Sequence, residues 1–126
     1  MKHVMTRVCL IGWAVVGLFI GACGRDPVAT ARAFVATGDQ YVAQSRLRAA
    51  ALEYRNAIAH QPDAAEIHYK LATVYERLGE QERALASLFR VTQLDGSHVD
   101  AHVRVSSAMV ALRRFEEAER LVQRVV

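Results

Sequence analysis

Disulfide support is missing from this sequence, which has 2 cysteines, Cys9 and Cys23, in 126 residues. Cys9 falls inside an apolar leader, which strands Cys23 without an intramolecular partner and excludes a disulfide framework. Charge of one sign is also missing. Two of the 16 basic residues, Lys2 and Arg7, lie in the leader, so the remainder nearly balances the 13 acidic ones. A near-neutral chain lacks the concentrated basic face that polyanion binding requires, so nucleic acid is set aside as a partner. Long apolar runs are missing as well: the one from Val8 to Ala22 has about 15 residues, short of the roughly 20 of a crossing helix.

Chemistry is scarce too. The sequence shows no nucleophile–base pair, phosphate-binding loop or metal cluster, so no enzyme, catalytic residue, cofactor or metal is expected. His98 and His102 are four residues apart, but no glutamate follows His98 and no third ligand accompanies them. Packing or surface roles are expected for both. Glu116, Glu117 and Glu119 read as a solvated helix face.

What is present begins with the leader. Lys2, His3 and Arg7 form a short basic start, followed by the apolar run and then Ile20-Gly21-Ala22-Cys23. A basic start with a short apolar core reads as a secretory signal. The closing four residues resemble the cleavage box of bacterial lipoproteins: a branched apolar residue, two small ones and a cysteine. That resemblance implies lipidation at Cys23, with residues 1–22 removed. It also implies a lipid-anchored protein, and Gly24 after the cysteine favours the outer membrane, facing the periplasm. An ordinary secretory signal or an uncleaved anchor is the rival reading. Residues 23–26 would form a short tether, and Asp26-Pro27 reads as a helix start, with a capping carboxylate and a proline in the first turn.

The rest of the chain, 27–126, repeats itself. Phe34, Gly38, Tyr41, Ala50, Tyr54, Ala57 and Pro62 are followed by His68, Ala72, Tyr75, Ala84, Leu88, Val91 and Gly96. A third register gives His102, Ser106, Met109, Ala118, Val122 and Val125. Each position lies about 34 residues beyond its counterpart, the period of a helix–turn–helix repeat. The first helix is expected from Pro27 to about Gln44, with Gly38 admitting close approach of its partner helix at a cost of about 1 kcal/mol relative to alanine. Ser45 is expected to cap the second helix, and Pro62 to end it. Asp63 and Glu66 suggest a capping box, Leu78-Gly79 a glycine C-cap, and Ser97 with Asp100 another cap. A further helix is expected over Gln81 to Leu94. Phe115-Glu116-Glu117-Ala118 restores the register for a second helix in the third repeat.

These residues resemble a tetratricopeptide repeat (TPR). The resemblance implies an all-α fold: a short right-handed α-solenoid of about 2.8 repeats, over residues 31–64, 65–98 and an incomplete 99–126. Leu121, Val122, Val125 and Val126 would leave an apolar edge. A longer polypeptide with a missing effector or catalytic region would cover it, as would another chain through self-association of the last helix.

In TPR domains the first helix of each repeat lines a concave groove. By that pattern the groove positions here are Arg32, Val35, Asp39 and Val42, then Glu66, Tyr69, Lys70, Thr73, Glu76 and Arg77, then Asp100, Val103, Arg104 and Ser107. The chaperone-binding subclass clamps a terminal carboxylate with lysines, asparagines and an arginine. Of these only Arg104 fits, while Val35 and Asp39 replace polar or basic groups. A protein or peptide partner in the cell envelope is therefore expected, held by apolar contacts with charges setting register. The expected role is a membrane-anchored scaffold or adaptor, similar to lipoproteins of pilus, secretin, outer-membrane, exopolysaccharide or protein-sorting systems. The rival is the anchoring front of a longer protein.

Overall fold

The computed structural model describes residues 24 and 26–125. Five helices account for the fold, with no strand among the described residues: α1 (Pro27–Ala43), α2 (Leu47–His60), α3 (Ala65–Arg77), α4 (Gln81–Leu94) and α5 (Val99–Val125). The helices α1 and α2 pack as one hairpin and α3 and α4 as a second. The faces between α2 and α3, and between α4 and α5, join them into a stack. Cys23, the leader and the side chains of Ala118, Leu121, Val122 and Val125 lie outside the described residues, as does Val126. No described helix is long and apolar enough to cross a membrane.

The repeat is visible bond by bond. Arg46 N donates to Tyr41 O at 2.8 Å, and Glu80 N to Tyr75 O at 2.9 Å. Gln61 N donates to Ala57 O at 2.9 Å and Asp95 N to Val91 O at 2.8 Å. The turns within the two hairpins, α1–α2 and α3–α4, each contain one residue in the left-handed region, Ser45 at φ 59° and Gly79 at φ 76°. Such a residue satisfies the last helical carbonyls and reverses the chain.

Helix starts partly depart from expectation. Asp26 caps α1 as expected, accepting from Val28 N at 3.0 Å with Pro27 in the first turn. Ser45 does not cap α2: its left-handed backbone makes it the end of the preceding turn, and Arg46 stands at the N-cap without a side-chain bond. Asp63 does not cap α3 either, because its carboxylate accepts from Arg90 at 3.2 Å. Ser97 donates to Asp95 instead, and His98 Nδ1 accepts from Ala101 N at the start of α5.

The larger departure is α5. A helical hairpin is expected for the third repeat, but one helix of 27 residues runs from Val99 to Val125. The position that carries Ser45 and Gly79 in the two turns is Arg113 in the third register. Arginine is a good helix former and a poor occupant of the left-handed region, so the helix continues through it.

The core follows the register. Ala31, Ala50, Tyr54, Ala57, Leu71, Val74 and Tyr75 bury in one cluster, and Ala72, Leu88, Val91, Ala101 and Val105 in the next. Small residues at Ala50 and Ala84 let the paired helices approach closely.

Candidate functional site

The inner helices α1 and α3, with the first turns of α5, carry a ladder of polar contacts. Asp39 of α1 is its first rung. Its carboxylate accepts from Tyr54 Oη at 2.6 Å and from Lys70 Nζ at 3.1 Å, joining α1 to both α2 and α3. One helix further on, Tyr69 Oη donates to Asp100 at 2.7 Å. Arg104 pairs with Glu76 at 3.2 Å and Asp100 at 3.4 Å, its guanidinium 5.9 Å from the centre of the Tyr69 ring. The Asp39–Lys70 and Tyr69–Asp100 contacts each span 31 residues, joining the first helix of one repeat to the first helix of the next.

Burial, then the hydrogen bond to Asp39, pushes the Tyr54 hydroxyl well above its ordinary 10.0. The bond to Asp100, then burial, raises Tyr69 in the same direction. Both hydroxyls are therefore firmly neutral donors at physiological pH and hold the carboxylates they face. They anchor the groove wall and offer no base or nucleophile.

Between the rungs lies an open pocket of about 420 Å³ lined by Asp39, Val42, Glu66, Tyr69, Lys70, Thr73 and Arg77, together with Tyr54 and Val74. Seven of the residues expected to line the groove, Glu66 among them, thus meet in one place. Thr73 Oγ1 is tied back to Tyr69 O at 3.1 Å, and Arg77 is exposed and forms no ion pair with another described residue. The other expected groove residues lie elsewhere. Arg32 is exposed near the start of α1, and Val35 packs half-buried against the first core cluster. Val103 and Ser107 are exposed on α5. Arg104 lines a second cleft of about 500 Å³ between α4 and α5, with Leu85, Leu88, Ala108, Leu112 and Phe115.

In the sequence Tyr54 stands only as a repeat position and not among the groove residues, yet its hydroxyl reaches the groove carboxylate. The second cleft was not anticipated because a hairpin was expected where α5 runs straight. His98 packs against Tyr69 with ring centroids 4.6 Å apart, which gives it a structural role. No group of three His, Cys, Asp or Glu among the described residues is placed to hold a metal.

Comparison with known proteins agrees with this geometry. The sequence model of the family described as TPR repeat matches residues 38–79, from the middle of α1 to the turn after α3. No curated protein matches the chain. Among solved structures, the first TPR of Spaghetti (RPAP3), bound to the HSP90 peptide SRMEEVD, superposes with a TM-score of 0.61 at 24% identity, covering 74% of this chain and 74% of that one. MamA superposes with a TM-score of 0.62 at 23% identity, covering 75% of this chain and 55% of that one. The fold is a helical TPR solenoid.

Proposed function

We propose that this chain is a membrane-tethered TPR scaffold that holds an extended segment of a partner protein in the groove between α1 and α3. The observation that carries the reading is the pocket itself: Val42, Tyr69 and Val74 supply apolar and aromatic surface, while Asp39, Lys70 and Arg77 bring charges of both signs to its edge. Apolar contact gives affinity to an extended ligand, and the charges at the edge fix its register and reject mismatched partners. A structure of the same fold carries a bound peptide, which makes a peptide ligand the natural occupant. The occupant here differs from an acidic terminal peptide, because Asp39 pairs with Lys70 and neutralises a cation that such a peptide would need.

The tether would be Cys23, carrying lipid after removal of residues 1–22. The support is the Ile20-Gly21-Ala22-Cys23 box at the end of the apolar run. With α1 beginning at Pro27, the stack would stand within about 15 Å of the headgroups, at roughly 3.3–3.6 Å per extended residue. The envelope, and the periplasmic face of the outer membrane, is the proposed place of work. Two or more acyl chains would anchor it stably, where one would not.

Two experiments test the two halves separately. Cys23→Ala abolishes labelling by a fatty-acid analogue, and labelling that persists in the variant contradicts the anchor. Arg77→Glu reverses an exposed groove charge without breaking a described ion pair, and it reduces co-purification of the partner from native membranes. Unchanged recovery contradicts the groove as the binding surface.

A further inference from the structure

We propose that copies of this chain join head to tail, residues 115–125 of one copy taking the place of the second helix of the third repeat in the next. The place is defined by the register. Gly38 and Ala72 are buried beneath the partner helix of their own repeat, whereas their counterpart Ser106 is exposed. Tyr75 is 8% exposed beneath α4, whereas its counterpart Met109 is 52% exposed. The face of α5 at His102, Ser106 and Met109 is therefore the face that α1 and α3 present to a second helix, without such a helix on it among the described residues.

The matching helix is in the same chain but pointed elsewhere. Residues 115–125 correspond to the first eleven of α4, and Ala118, Val122 and Val125 stand where Ala84, Leu88 and Val91 are buried. Since α5 passes straight through Arg113, this segment is carried away from the face it would cover. A second copy can supply it.

The helical period decides the geometry of assembly. Position 122 is the counterpart of Tyr54, the residue that meets Gly38. It follows 106 by 16 residues, which at 3.6 residues per turn turns it by about 160°. A straight α5 thus carries acceptor face and donor face on opposite sides. Two copies cannot satisfy both faces of each other across a two-fold axis, so the contact is heterologous and repeats from copy to copy.

The test uses the full chain with Ser106→Cys and Val122→Cys, the pair matching Gly38 and Tyr54, under mild oxidation in native membranes. The unsubstituted chain, treated in the same way, is the control. The proposal expects a ladder of disulfide-linked multimers extending beyond the dimer and absent from the control. It also expects mixed-tag dimers when the two single variants are co-expressed. A product that stops at the dimer overturns the head-to-tail geometry. An intrachain bond on monomer overturns the exchange, as does a gel with no new bond. Adding Arg113→Gly restores a turn-forming residue and converts the ladder to the intrachain product; a ladder of unchanged yield contradicts Arg113 as the cause of the straight helix.

Discussion

The Tyr54 ring occupies the space that a Cβ on residue 38 would take: a methyl there would sit 2.6 Å from Tyr54 Cε1 and 2.8 Å from Cδ1. Tyr54 cannot swing aside freely, because its hydroxyl is bonded to Asp39 one residue along α1. The glycine is thus a packing device in mid-helix, and the same place in the next repeat resolves the conflict differently. There Ala72 lies in one buried cluster with Leu88, a smaller partner without a ring.

Gly38→Ala is accordingly destabilising despite alanine's better helix propensity. Overpacking costs about 1–3 kcal/mol and outweighs the roughly 1 kcal/mol gained. In a Tyr54→Leu background the substitution reproduces the Ala72–Leu88 arrangement, and its cost falls to near zero or reverses. Urea unfolding of the four proteins in the cycle measures this, and an equal cost in both backgrounds contradicts the contact.

Alkaline pH weakens the fold through its tyrosines. The folded state holds the Tyr54 proton more tightly than the unfolded chain, whose value is near 10.0. The contribution is therefore fully present below pH 10 and is lost as pH rises through the higher folded value. Tyr69 acts in the same direction. Tyr54→Phe costs about 0.5–1.5 kcal/mol at neutral pH and flattens the alkaline fall in stability. Stability followed by denaturant unfolding from neutral pH upward checks both parts.

The Asp39–Lys70 rung is half-exposed, so the ion pair by itself contributes little. Lys70→Gln costs about 0.2–1 kcal/mol, less as salt is raised. Asp39→Ala costs more than Asp39→Asn, because asparagine still accepts from Tyr54. Equal losses in the two Asp39 variants would show that Tyr54 does not depend on this acceptor.

Left-handed turns respond to substitution with opposite signs. Gly79→Ala places a Cβ at φ +76° in open space, so the cost is conformational, about 1–2 kcal/mol. Ser45→Gly relieves the same geometry at φ 59° and raises the melting temperature. Thermal unfolding of the two variants separates them, and parallel shifts would contradict a common turn.

Much of the architecture was legible because the repeat writes each position more than once. Gly38 as a place of close approach to α2, Gly79 ending α3, Asp26 capping α1 and the span Gln81–Leu94 all follow from local chemistry, whereas the Tyr54 ring that fills the space at Gly38 does not. Caps were less legible. Ser45 and Asp63 are good capping types, but a turn conformation took the first and Arg90, 27 residues away in sequence, took the second. The straight α5 was hidden by the apolar register of Ala118 and Val122, which speaks for a second helix whether or not the chain turns at Arg113. Of the groove, positions could be read from the repeat, but not their convergence. Asp39, Lys70 and Tyr54 meet only once three helices are stacked.

The most direct test of the account is a photo-crosslinking residue placed at Thr73, on the exposed edge of the groove pocket, with Arg48 on the outer face of α2 as the control position. Irradiated native membranes are predicted to yield a defined adduct with a partner protein from position 73, none from position 48, and a weaker one when Arg77→Glu is added. Adducts of equal yield from both positions, or none from position 73, would contradict the groove as the surface on which this scaffold works.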